Sequence, residues 1–308
     1  MSFIETQAER CFREALPVCH LYTKPIEDDV FFKEEQERAV AMNFLAIAVK
    51  RNDCRLLAFS IMSNHFHFVL EGRQASISAF FNDFKQHLDR YFKARGRGHL
   101  AANLEAGQTH IDNVKQFRTT LSYVIRNAFV VRPDVHVFAD PWSSGHLYFN
   151  PFLRKEGIPI GSLSVRQLRK FTSSRLMSDL PADIYVKDGM AQAWSFVDYE
   201  RAMSFYENAR QFVFSVVRNV EAQVETAISC GERPQFADED LIPVVYALCR
   251  DQFKSEGPAV LDKANKQQLA ILLKNKYYCS NGQIARVAKM TLSEVNAVFP
   301  LTAKAQIR

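Results

Sequence analysis

The residues best suited to chemistry are two histidines, a tyrosine and an asparagine. His65 and His67 stand two apart in IMSNHFHFVL. On a strand, both imidazoles would leave one face while Phe66, Phe68 and Leu70 point to a core on the other. Side-by-side imidazoles can share one divalent cation. A hydrogen-bonded pair on a half-covered sheet explains the same two residues, and for an isolated His-x-His it is the commoner case. Tyr123 and Asn127 are four apart in TTLSYVIRNAF, one turn from each other on a single helical face. A tyrosine oxygen, ordinarily titrating at about 10, can attack phosphorus and keep the energy of the broken bond in a phosphotyrosyl link. An amide oxygen one turn on can complete the coordination of a cation. Tyrosine and asparagine also occur on amphipathic helices merely as packing and surface residues.

A third group lies in residues 84–99, where Lys85, Arg90, Lys93, Arg95 and Arg97 face a single acid, Asp89, and are interleaved with Phe84, Tyr91 and Phe92. Cations of this kind follow a phosphodiester backbone, and aromatic rings can stack on unpaired bases. A solvated helix with one basic face has the same composition.

The elements that must position these side chains alternate in type over the first half. PVCHLYTKPI (17–26) is β-branched and aromatic enough for a strand. Residues 31–53 place Val40, Phe44, Leu45 and Ala48 at helical spacing. CRLLAFSIM and HFHFVLEG read as two strands joined through Ser63-Asn64. An amphipathic helix follows from Ile77 into a Gly-rich basic tail, and a second spans about 111–130, stopped near Arg132-Pro133 because the residue before proline avoids helical geometry. Cys19-His20 offers half of a metal site with no second half visible, and reads as ordinary strand. From about 151 the pattern becomes almost wholly helical. The expected fold class is α+β: a small antiparallel-sheet domain followed by an all-helical C-terminal domain. Expected boundaries are 1–150, a helical spacer or dimer surface over 151–240, and a basic helical region over 241–308.

At 308 residues, with 47% apolar and 24% charged residues, the composition is that of a globular chain and not a disordered one. No run approaches the roughly 18 apolar residues of a membrane span. The N-terminus lacks a signal-peptide core, and the six scattered cysteines form no C-x-x-C pair, so a reduced, cytoplasmic protein is expected. The net charge of +5 is unevenly spread: residues 181–240 hold eleven acids and five bases, residues 250–308 ten bases and four acids. The basic end suits a polyanion. Within it, SNGQIARVAKMTLSEVNAVF (280–299) has a helix-turn-helix look, with Ser280 as one cap and Thr291 and Glu294 as a capping box. Arg286 and Lys289 could hold phosphates of duplex DNA there. A helical bundle used only for packing is the plainer account.

Taken together, these runs resemble a known family. FSIMSNHFHFVLEG resembles the strand bearing the His-hydrophobic-His motif of the single-tyrosine HUH transposases. FKQHLDRYFKARGRGHL, LSYVIRNAFVVRP and DPWSS (140–144) resemble segments of the REP-associated tyrosine transposase branch, in order, over roughly the first 150 residues. The sequence departs from that pattern at Ser63 and Ala128, where the family usually has proline, and in AANLEAGQ after Gly98-His99-Leu100. The resemblance implies a ferredoxin- or RRM-like HUH domain. It implies His65, His67 and Asn127 as ligands of a catalytic cation and Tyr123 as nucleophile, leaving a 5′-phosphotyrosyl DNA. Paired imidazoles alone suit zinc, nickel or manganese better than magnesium; the resemblance favours Mg²⁺ or Mn²⁺. The implied partner is single-stranded DNA with hairpin or palindromic repeats, with duplex DNA a candidate for the C-terminal helices and a homodimer compatible with either half. Two alternatives stay open: an inactive, domesticated DNA-binding regulator, and a metal-dependent hydrolase in which Tyr123 is structural.

Overall fold

The computed structural model describes residues 5–26, 30–102, 104–131, 138–173, 180–218, 220–234 and 236–300. The chain divides into two compact units, Met1–Val216 and Val217–Arg308. The first begins with α1 (Gln7–Arg13), β1 (Val18–Thr23), α2 (Glu35–Arg51), β2 (Cys54–Ile61), β3 (Phe66–Gly72), α3 (Gln74–Lys93), α4 (His99–Ala102), β4 (Ala106–Ile111) and α5 (Val114–Val131). The strands form one antiparallel sheet in the order β2-β3-β1-β4. Combined with the chain order, this is the split βαβ arrangement of ferredoxin-like folds. β4 was not expected: its sequence, AGQTHI, is polar and mostly uncovered, and it takes strand form by pairing with β1.

Alternation along β3 assigns its two faces. Phe66 and Phe68 meet α3 edge-on, with Phe66 5.3 Å from Phe84 and Phe68 5.5 Å from Phe80 between ring centroids. His67 points the other way, toward α5. All seven residues of β3 are buried, because both faces of the sheet are covered. Residues Phe80, Phe84, Leu88 and Phe92 recur every four positions on α3 and are all buried. The aromatics expected to stack on bases are therefore core, Tyr91 included at 4% exposure.

The edge strand β2 is sealed by the segment that follows α5. Ile61 N–H donates to Trp142 O at 2.8 Å, Phe59 N–H to Ser144 Oγ at 3.0 Å, and Ser60 bridges to Ser143. A bulge interrupts β2 between Leu56 and Ala58, and the Leu57 carbonyl it strands accepts from the Tyr148 hydroxyl at 2.6 Å. Pro-Trp-Ser-Ser is thus an edge cover, which keeps an unpaired ladder from templating other chains.

Beyond 150 the first unit is not wholly helical. It contains a small antiparallel sheet of β5 (Ile158–Pro159), β6 (Tyr185–Lys187) and β7 (Met190–Ala191), with α6 (Val165–Thr172), α7 (Tyr199–Met203) and α8 (Ala209–Arg218) around it in sequence. Strands of two and three residues leave no periodicity to read. Asn43, 1% exposed on α2, ties this sheet down: its amide nitrogen donates to Phe171 O (3.1 Å) and Gly189 O (3.0 Å), and its oxygen accepts from Ala191 N–H (2.8 Å). Glu71, also 1% exposed, takes Arg201 at 2.9 Å and Arg55 at 3.0 Å.

The second unit is helical, as expected of the C-terminal part, and starts at Val217. It holds α9 (Val220–Ser229), α10 (Asp238–Phe253), α11 (Lys263–Tyr277), α12 (Asn281–Val287) and α13 (Leu292–Val298) around Leu241, Val245, Leu269, Leu273, Ile284 and Val295.

Candidate active site

His65, His67 and Tyr123 meet on the α5 face of the sheet. Tyr22 pairs directly with His67 across β1 and β3, so His20, two residues earlier, shares their face. The rings of His67 and Tyr123 lie 5.4 Å apart at 86°, those of His65 and His67 4.8 Å apart at 85°. His67 is fully buried and Tyr123 5% exposed. Sequence proximity places none of these contacts between strand and helix; the packing of α5 on β3 does.

His65 is not on the strand. It ends a four-residue connection (62–65), closed by Met62 N–H donating to His65 O at 3.0 Å. The loop is pinned by Phe31 N–H to Ser63 O (2.7 Å) and by the Asn64 amide nitrogen to Ile26 O (3.2 Å). That leaves the Asn64 carbonyl oxygen against His65 Nδ1 at 2.8 Å. The histidine is held by its loop, with its ring beside that of His67.

His20 was read as ordinary strand, and that reading is corrected here. It is 1% exposed, its ring stacks on His67 at 5.2 Å and 24°, and its Nε2 lies 3.1 Å from His67 Nδ1. Its neighbour Cys19 plays no such part: burial pushes its thiol up to about 12, which disfavours the thiolate a metal requires.

Helix α5 is anchored from its far side. Arg126 donates to Val216 O at 2.6 Å, Arg118 Nε to Phe205 O at 2.8 Å, and Ser122 Oγ contacts Ser215 Oγ at 3.1 Å. These ties leave Tyr123 and Asn127 on the face one turn apart. Asn127 is 9% exposed, and its amide nitrogen has no hydrogen-bond partner among the described residues. The orphaned atom is a donor, so what it lacks is an acceptor such as a phosphate oxygen, while the amide oxygen is the atom a cation would take.

The cations expected to hold DNA divide into two sets. Arg97 is committed to the fold: it pairs with Glu37 at 3.1 Å, donates to Val30 O and Phe31 O at 2.6 and 2.9 Å, and lies over Phe92. Lys85 donates to Leu104 O at 2.8 Å. Arg90, Lys93 and Arg95 are exposed; Lys93 pairs with Asp89 at 2.7 Å and Arg95 lies 3.7 Å over the Tyr91 ring. In the second unit, the caps at Ser280 and Thr291 form as expected, and α12 and α13 pack through Ile284 and Val295. Arg286 is engaged bidentately by Asp238 at 2.5 and 3.1 Å, whereas Lys289 is exposed. The outward residues of α13 are Leu292, Ser293, Glu294 and Ala297, none of them basic.

Residues 19–129 match the family model described as "Transposase IS200 like". The solved "Structure of the REP associates tyrosine transposase bound to a REP hairpin" is similar at 17% identity over 43% of this chain and 78% of that one, with a TM-score of 0.32. No curated protein matches the chain. No helix among the described residues is long and apolar enough to cross a membrane.

Proposed function

We propose that the chain is a metal-dependent single-stranded DNA endonuclease and strand transferase of the REP-associated kind, acting through Tyr123 on DNA with hairpins or palindromic repeats. The observation that supports this is the 5.4 Å approach of the Tyr123 ring to that of His67, itself 4.8 Å from His65. A hydrolase with a structural tyrosine would not need the phenol beside the imidazole pair.

The residues suit a divalent cation held by His65, His67 and Asn127, with Mn²⁺ or Mg²⁺ as the ion. When bound, such an ion neutralises charge gathering on the scissile phosphate. Tyr123 Oη forms a bond to phosphorus as the P–O3′ bond breaks. The phenol loses its proton and the leaving 3′ oxygen gains one, giving a 5′-phosphotyrosyl DNA and a free 3′-hydroxyl. Attack by another 3′-hydroxyl reverses the step with no nucleotide cofactor, since the ester keeps the energy of the original link. Arg90, Lys93 and Arg95 are the exposed cations for the DNA backbone, while Lys85 and Arg97 support the fold. Duplex binding by the second unit rests on Lys289 more than on Arg286, whose charge Asp238 already meets.

The test is incubation with labelled single-stranded DNA from the gene's own flanks and Mn²⁺, followed by denaturation. A covalent adduct absent from Tyr123→Phe and abolished by chelation is expected. Cleaved DNA without an adduct would make the protein a hydrolase, and binding without cleavage a regulator.

A further inference from the structure

We propose that His20 is a positioning residue that fixes the proton of His67 on Nδ1 and so keeps His67 Nε2 available to a cation. This rests on the reading of His65 and His67 as metal ligands. An imidazole binds metal through the nitrogen that has no proton, and the hydrogen bond at the other nitrogen decides which one that is.

The two candidate ligands are treated differently. At His65 the partner is an amide oxygen, because the other end of Asn64 is spent on Ile26 O at 3.2 Å. An oxygen there can only accept, so His65 Nδ1, 2.8 Å away, holds the proton and Nε2 holds the lone pair. At His67 the partner is a second imidazole nitrogen, 3.1 Å away, which can accept or donate. If His20 Nε2 accepts, His67 carries Nδ1–H and can bind through Nε2. If His20 Nε2 donates, His67 Nδ1 is the acceptor and its Nε2 bears the proton, which closes it to metal. The choice at His67 is therefore made by His20.

The geometry leaves little room to escape that choice. His20 sits diagonally from His67, since Tyr22 is the residue directly opposite. The strand register holds the two backbones, and the rings are stacked, 1% and 0% exposed. Turning either ring away would bury its polar nitrogens elsewhere, at about 1–3 kcal/mol for each one left unsatisfied.

The experiment uses the full chain with ¹⁵N-labelled histidine, and His20→Gln and His20→Phe variants. Long-range ¹H–¹⁵N spectra report the tautomer of each histidine without metal, and Mn²⁺ affinity is read by electron paramagnetic resonance. The expected result is Nδ1–H at His67 in the unsubstituted protein. His20→Phe, which keeps a ring and removes the nitrogen, should weaken Mn²⁺ binding about 10–100-fold, with His20→Gln recovering most of it. An Nε2–H tautomer at His67 overturns the proposal, as does a His20→Phe affinity within about twofold of the parent. Should the unsubstituted protein bind no Mn²⁺, the ligand reading fails and the metal-free spectrum still decides the proton position. Should His20→Phe not fold, the parent spectrum decides: Nδ1–H at His67 supports the proposal and Nε2–H overturns it.

Discussion

Replacing Asn43 by leucine should loosen the small sheet of residues 158–191 without touching the site chemistry. Leucine shares asparagine's branching at Cγ, though it is bulkier, and offers no polar atom. Three bonds go: those to Phe171 O and Gly189 O, and that from Ala191 N–H. Gly189 is exposed, so water can take over its carbonyl. The Phe171 carbonyl and the Ala191 N–H are enclosed with Asn43, and leaving two such groups unpaired costs about 2–6 kcal/mol. The buried leucine offsets about a third of that through its apolar surface. A net loss of about 1–4 kcal/mol follows, which speeds exchange of the Ala191 amide by roughly 5- to 1000-fold. Hydrogen exchange resolved at Ala191, with urea unfolding alongside, measures it. Exchange at Ala191 within about threefold of the parent would refute the claim that Asn43 holds this sheet. Asn43→Asp, which keeps the acceptor and loses both donors, should fall between the two.

Gly107→Ala should disturb the site from β4. The added Cβ would lie 2.5 Å from Tyr22 Cζ, and Tyr22 stacks 5.1 Å from His20, so about 1–3 kcal/mol of stability and part of the Mn²⁺ affinity are lost together in melting and binding measurements. Native alkylation at pH 8.5 should label Cys11 well before Cys19 and Cys54, whose thiols burial pushes up to about 12, as peptide mass mapping would report. The hydrogen bond from His87 holds the Asp83 carboxyl below its usual range. A depressed folded-state value means that its stabilisation is present above about pH 3.8 and is lost as pH falls through the lower folded value. His87→Leu should therefore flatten the fall of unfolding midpoint in acid, with the Asp83 titration followed by NMR moving up.

The sheet half of the fold was legible where periodicity and chemistry agreed. Phe66 and Phe68 alternating with His67 identify a strand with a polar purpose on one face, and Tyr123 and Asn127 share a helical face that nothing interrupts. Legibility failed where local composition has two physical meanings. The aromatic and basic residues of α3 look alike whether the rings face DNA or a core, and the four-residue recurrence from Phe80 to Phe92 was the deciding signal. His20 is a lone histidine on an apolar strand, and only the register of β1 against β3 brings its nitrogen to His67. AGQTHI lacks every mark of a strand because its order comes from its partner.

The sealed edge of β2 and the buried Glu71 bear on inheritance. The match to the family model ends at 129, yet Tyr148 satisfies the stranded Leu57 carbonyl, Asp198 N–H caps Leu56 O at 2.8 Å, and Arg201 neutralises Glu71. A fragment ending at 150 would keep Tyr123 and expose a carboxylate with half its counter-charge gone. What recombination can move as a folded module is then the stretch to about residue 216, where Arg126 of α5 meets Val216 O, and changes in residues 140–216 are constrained by a sheet and a helix they do not belong to.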